Sequence, residues 1–128
     1  MPSSTLLRQV GEWLAEARAG DPAALSSDRS GVMIYGDIGG AAYIRADGSV
    51  VLEAWDDLPD NQWRADPAFL CSVLVSAAKK RPVLAELLPS RPRAAADCDA
   101  CGGSGWIWIG TVELVCAHCH GLGWRSAA

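Results

Sequence analysis

The chain has 128 residues, of which 50% are hydrophobic and 20% are charged, and its formal net charge is −4. This composition is typical of a globular protein, and the length allows one domain or a small domain with a metal module. No apolar run reaches the 18 or so residues that a membrane-spanning helix needs, and the acidic balance disfavours nucleic acid as a partner. The N-terminus lacks the apolar core of a signal peptide, so we expect a cytoplasmic protein with reduced thiols.

Two helices are predicted in the first two thirds of the chain. Residues 4–19 carry apolar side chains at helical spacing, with Ser4 as the expected cap and Gly20 as the expected end. Asp66-Pro67 has the order of a helix cap followed by a first helical residue, so it predicts the start of a second amphipathic helix.

Three strand-like runs lie between these helices, at residues 32–35, 41–45 and 50–55. Asp47-Gly48 predicts a hairpin turn between the last two runs. We therefore expect an α+β fold over residues 1–88, in which helices cover one face of a small antiparallel sheet. Residues 89–97 are rich in proline, arginine and alanine and predict a linker.

The N-terminal part is also faintly similar to domains of the SUKH superfamily, which includes bacterial toxin-immunity proteins. The similarity covers residues 34–74, with a Gly-Gly turn, an Asp-Gly hairpin and a following helix. It implies binding of a protein partner by the N-terminal domain.

A short pattern occurs twice in the last third of the chain, and both copies read C-x-x-C-x-G-x-G. The cysteines are Cys98 and Cys101 in the first copy and Cys116 and Cys119 in the second. Two such turns supply four thiolates, which fill the tetrahedral shell of a structural zinc and leave no position for a catalytic water. We expect one Zn²⁺ per chain, with iron in a rubredoxin-like site and redox-active cysteines as the alternatives.

Other residues of the two copies are expected to support this site. The glycines supply positive φ angles and backbone N–H groups that point at the sulfurs; they are Gly103, Gly105, Gly121 and Gly123. His118 and His120 are substitute ligands in principle, but with four cysteines in register we expect them beside the metal shell or facing solvent.

The segment between the two copies predicts a β-hairpin with its turn at Gly110-Thr111. Trp106 and Trp108 fall on one face by alternation, and Trp124 follows the second copy. A hairpin this small cannot bury both faces, so these tryptophans either pack on the N-terminal domain or form an exposed surface that binds a partner.

The repeated motif resembles the cysteine-rich zinc domain of DnaJ-type chaperones over residues 98–123. Those domains usually have four copies and two zincs and help to bind non-native polypeptides; two copies here imply one zinc. The chain has no His-Pro-Asp tripeptide and no Gly/Phe-rich linker, so recruitment of an Hsp70-type partner is not supported.

Three functions follow as hypotheses. The first is a non-enzymatic, chaperone-like or adaptor-like module at residues 98–124, which binds a protein or polypeptide through its Trp-rich hairpin. The second is a purely structural zinc, which closes the domain or mediates a homo-oligomer, with a separate binding function in the N-terminal domain. The third is single-stranded nucleic-acid binding, with aromatic stacking and basic side chains from Arg91, Arg93 and Arg125. No nucleophile, base and acid set was found, so we expect no enzyme activity.

Overall fold

The computed structural model describes residues 2–64 and 67–125. Helices are combined with small antiparallel sheets, so the predicted α+β class is confirmed. Two compact units divide the chain, Met1–Asp66 and Pro67–Ala128. The helices and strands are α1 (Ser4–Gly20), β1 (Gly31–Gly36), β2 (Gly40–Arg45), β3 (Val50–Ala54), α2 (Pro67–Lys80), β4 (Ala96–Asp97), β5 (Trp106–Ile109), β6 (Val112–Val115) and β7 (Trp124–Arg125).

The cap of helix α1 lies one residue before the predicted cap. The Ser3 side chain, not that of Ser4, accepts a hydrogen bond from the Leu6 N–H at 3.1 Å, which satisfies a donor that the first turn leaves open. The buried side chains of the helix recur at helical spacing and form one stripe; they are Leu6, Val10, Leu14 and Ala17. This stripe supplies the helical part of the first unit's core.

The first unit contains a three-stranded antiparallel sheet in the order β1-β2-β3. Strand β2 lies in the centre, and its residues Ala41 to Ile44 are all buried. Strand β1 contains an irregularity between Met33 and Tyr35 and pairs with β2 on both sides of it. The three predicted strands are therefore confirmed, within one residue at each end.

The turn before β2 and the loop after β3 are joined through Trp63. Its indole N–H donates to Asp37 Oδ1 at 2.8 Å, and its ring stacks on Tyr35 with a centroid distance of 6.2 Å. Trp63 is buried, whereas Trp55 at the other end of the loop is half exposed. Aromatic packing therefore holds the end of this loop at the sheet.

The second unit opens with helix α2; its predicted cap, Asp66, lies outside the described residues. A 3₁₀ helix, Pro82–Leu87, follows it. Two two-stranded antiparallel sheets complete the unit, one from β5 and β6 and one from β4 and β7. Strand β4 consists of the last two residues of the predicted linker. Within residues 2–64 and 67–125, no helix has both the length and the apolar content to cross a membrane.

Candidate metal centre

The two C-x-x-C-x-G-x-G copies fold into matching turns. In the first, the Gly103 N–H donates to the Cys98 carbonyl at 3.1 Å; in the second, the Gly121 N–H donates to the Cys116 carbonyl at 3.1 Å. All four of the predicted supporting glycines have positive φ angles, between 83° and 93°. Identical local sequence therefore produces the same backbone turn twice.

Reciprocal hydrogen bonds then join the two turns. The Cys98 N–H donates to the Gly123 carbonyl at 3.0 Å, and the Cys116 N–H donates to the Gly105 carbonyl at 2.9 Å. Each turn thus binds the end of the other, and the four cysteines come together between them. Cys98, Cys116 and Cys119 are buried, and Cys101 is partly buried.

The four sulfurs have the spacing of a metal-coordinating set. All four Sγ atoms lie within 4.8 Å of one another. The Cys98–Cys116 distance is 3.9 Å and the Cys101–Cys119 distance is 3.8 Å. A tetrahedral zinc with Zn–S bonds of about 2.3 Å separates its sulfurs by about 3.8 Å, whereas a disulfide bond measures about 2.05 Å. The cysteines are free thiols and their geometry fits a metal ion.

Backbone N–H groups point at two of the sulfurs. Gly105 donates to Cys101 Sγ at 3.2 Å, and Gly123 donates to Cys119 Sγ at 3.3 Å. Burial raises the pKa of the Cys101 thiol, but N–H donation from Gly105 and Gly103 outweighs it and lowers the pKa to about 6. For Cys119, burial and the neighbouring sulfurs prevail and raise the pKa to about 12. Four thiolates this close therefore need a cation to coexist near neutral pH.

The group of side chains that could hold the ion consists of the four cysteines and includes neither histidine. His118 is exposed and His120 is half buried. His120 adopts a positive φ of 54°, at the position that Gly102 occupies with a φ of 67° in the first copy. The second turn therefore places a side chain where the first has none.

The three tryptophans of the predicted binding surface occupy different environments. Trp106 is half buried, and the Lys79 ammonium of α2 lies 4.4 Å from the centre of its ring. Lys79 also forms an ion pair with Glu113 on β6. Trp124 lies on β7 and lines a groove of about 740 Å³, together with Trp106. Trp108 is 65% exposed. Within the second unit, the root of the hairpin is thus packed and its outer part is open.

Sequence analysis placed Ile107 and Ile109 on the face opposite the tryptophans but did not consider that face as a binding surface. The strand register pairs Ile107 with Leu114 and Ile109 with Val112, so these four side chains share the face opposite the tryptophans. Ile107 packs on the cysteines, whereas Ile109, Val112 and Leu114 are exposed. The alternation of residues 106–115 indicates this second apolar face, but the prediction of a binding surface considered only the tryptophans.

Two of the basic side chains near the centre, Arg91 and Lys79, have acidic partners. Arg91 donates to Asp97 Oδ1 at 2.7 Å and to the Ala95 carbonyl at 3.2 Å, and Lys79 pairs with Glu113. These contacts offset the positive charge that a nucleic-acid interface would need.

Comparison of the chain with protein-family models, curated proteins and solved structures gave no match. The spacing of the four sulfurs is thus the main indication of what this site binds.

Proposed function

We propose that this is a non-enzymatic zinc-binding protein in which one Zn²⁺ holds the β5–β6 hairpin as a protein-interaction module for apolar polypeptide segments. The observation that supports it most is the cluster of four Sγ atoms within 4.8 Å of one another. Cys98, Cys101, Cys116 and Cys119 would hold the ion.

Zinc suits this donor set because four thiolates match its preferred ligands and tetrahedral geometry. A shell of four protein ligands has no open position, so the metal's role is to stabilise the fold. Four thiolates and one Zn²⁺ carry a formal charge of −2, and the N–H donors from Gly105 and Gly123 offset part of it.

The outer half of the hairpin is the proposed binding surface, which we call the hairpin tip. Its exposed apolar side chains are Trp108, Ile109, Val112 and Leu114. Trp108 projects from one face, whereas Ile109 and Val112 project from the opposite face. A rigid partner that covers one face would leave the other in water, whereas an apolar segment that wraps around the tip covers both. The DnaJ-like motif supports the same kind of partner.

Zinc content and polypeptide binding test the proposal together. We expect elemental analysis of the purified chain to give about one zinc per chain. A fluorescein-labelled, permanently unfolded polypeptide should bind the loaded chain, and Trp108→Ala with Ile109→Ser should weaken binding at least about tenfold, with zinc retained.

Glu12→Gln with Glu16→Gln, exposed changes on α1, provides the control and should bind like the parent. Loss of zinc in the tip variant would make its binding result uninformative about the tip, so Val112→Ser with Leu114→Ser is the second variant. Full binding by both zinc-loaded tip variants would refute the interaction role, and a chain without zinc would refute the metal assignment.

A further inference from the structure

The exposed large hydrophobic side chains in the described part of the first unit lie together. Ile38, in the turn between β1 and β2, is 102% exposed, and Leu58 and Trp55, in the loop after β3, are 60% and 52% exposed. Ile38 and Leu58 line one shallow cavity of about 300 Å³. The Trp55 indole N–H donates to the Asp37 carbonyl at 3.1 Å, which places Trp55 against the same turn. These three side chains form what we call the Ile38 surface.

The surroundings of the Ile38 surface are acidic. Three acidic side chains, Asp56, Asp57 and Asp60, lie in the loop that carries Leu58, and Asp37 is next to Ile38 in the turn. Arg45 is at the opposite end of β2 from the Ile38 turn, where it faces Asp28 at 4.0 Å. The loop that borders the apolar side chains is thus negatively charged, which favours a partner of positive charge.

Hydrogen bonds hold the two loops of this surface in one arrangement. The Gly39 carbonyl accepts from the Trp55 N–H at 3.0 Å and from Asn61 Nδ2 at 3.0 Å. Asp56 Oδ1 accepts from the Leu58 N–H at 3.0 Å and from the same Asn61 amide at 3.1 Å. Little backbone entropy remains to be lost when a partner docks, which favours binding.

We infer that the Ile38 surface binds a positively charged segment of a partner protein that carries an apolar anchor residue. Ile38 and Leu58 would contact the anchor, and the carboxylates of Asp57 and Asp60 would pair with flanking lysine or arginine side chains. The same carboxylates repel nucleic-acid phosphates and anionic lipid surfaces. This site lies in the first unit and does not depend on the hairpin tip.

Two peptides of matched hydrophobicity test the charge requirement on the full, zinc-loaded chain. One is a fluorescein-labelled amphipathic peptide of leucine and lysine, and the other has glutamate in place of every lysine. We expect the lysine peptide to bind with an affinity that falls at least about fivefold as salt rises to about 0.5 M. We expect the lysine peptide, and not the glutamate peptide, to shift the amide NMR signals of Ile38 and Leu58.

Variants separate the apolar from the charged contribution. Ile38→Ser with Leu58→Ser should lower the affinity for the lysine peptide about tenfold. Asp57→Asn with Asp60→Asn should lower this affinity about three- to fivefold and reduce its dependence on salt. Glu12→Gln with Glu16→Gln on α1 removes the same charge elsewhere and should have no effect.

The inference fails if neither peptide shifts the Ile38 and Leu58 signals or if both peptides shift them equally. It also fails if the serine variant, folded by circular dichroism, binds the lysine peptide like the parent, because the contact would then be unspecific charge attraction. Strong binding of single-stranded DNA by the parent would likewise overturn it. If only the hairpin-tip variant lost binding, the peptide would bind at the tip, and the Ile38 surface would be refuted as its site.

Discussion

The α-carbon of Gly105 faces the carbonyl oxygen of Gly121 so closely that a Cβ on Gly105 would lie 2.3 Å from that oxygen. The contact is repeated with the roles of the two turns exchanged, since a Cβ on Gly123 would lie 2.5 Å from the Gly103 oxygen. The last glycine of each motif thus packs on the backbone of the other motif. The glycines of C-x-x-C-x-G-x-G therefore bring the two turns together, in addition to shaping each turn.

We predict that Gly105→Ala destabilises the second unit by about 3 kcal/mol. The new methyl group would overlap a backbone oxygen, and alanine would also pay for the positive φ of 83°. Gly110→Ala is the matched control: its φ of 64° is similar, but a Cβ there meets nothing within 4 Å, so the cost should be about 1 kcal/mol. Denaturant unfolding of the zinc-loaded variants measures both, and equal losses would contradict the packing argument.

His120→Gly should stabilise the protein by about 0.5–1 kcal/mol. A positive φ of 54° destabilises histidine, whereas glycine adopts this conformation freely. The more flexible unfolded chain of the glycine variant offsets only part of this gain. His118→Gly is the control, because it removes an exposed histidine that is not among the described residues with positive φ. The measurement is the unfolding midpoint with zinc content. A drop in zinc content for His120→Gly alone would instead indicate a ligand role.

Lys79→Ala should lower the stability of the second unit by about 0.5–1 kcal/mol and make zinc easier to chelate. The ammonium group contacts the Trp106 ring and the Glu113 carboxylate at once, so the substitution removes a cation–π contact and an ion pair. Lys80→Ala, at the next and also exposed position, should leave both properties unchanged. Thermal unfolding and the rate of zinc transfer to a chelator test this. Identical results for the two variants would contradict the prediction.

The Asp28 carboxyl should contribute stability that depends on pH. Hydrogen bonds from the backbone and side chain of Ser30, followed by one from Ser26, lower the pKa of Asp28 to about 2. Because the folded-state pKa lies below the unfolded-state value of about 3.9, this contribution is complete above about pH 4. It is lost as the pH falls towards 2.

Substitution of Ser30 tests this assignment. In Ser30→Ala, NMR titration should find the Asp28 pKa moved up towards 3.8, and acid unfolding should begin at higher pH. Ser27→Ala, which removes a hydroxyl that bonds Glu53 and not Asp28, should leave the titration of Asp28 unchanged. An unshifted Asp28 pKa in Ser30→Ala would show that the Ser30 hydroxyl is not among the causes.

The prediction from sequence was most accurate where local rules operate. The spacing of Cys98, Cys101, Cys116 and Cys119 predicted the cluster, because each C-x-x-C pair is brought together within a single turn. The three strands of the first sheet followed from alternation and turn residues. The cap of α1 was wrong by one residue, since Ser3 and Ser4 are adjacent serines and only the backbone shows which one reaches an open N–H.

Long-range contacts decided the rest. Helical periodicity predicted α2. It could not predict that Lys79 contacts Trp106 and Glu113, because the number of residues between two positions does not determine their distance in the folded chain. The strand register determined that Ile109 and Val112 share an exposed face, whereas the sequence drew attention to the tryptophans.

By itself, then, the sequence determined the class of the fold and the four cysteines that could hold a metal, because both depend on periodicity and spacing within a few residues. Only the tertiary structure decided which apolar side chains remain in water, at the hairpin tip and around Ile38. Burial depends on neighbours that are distant in the sequence, and no local pattern specifies them.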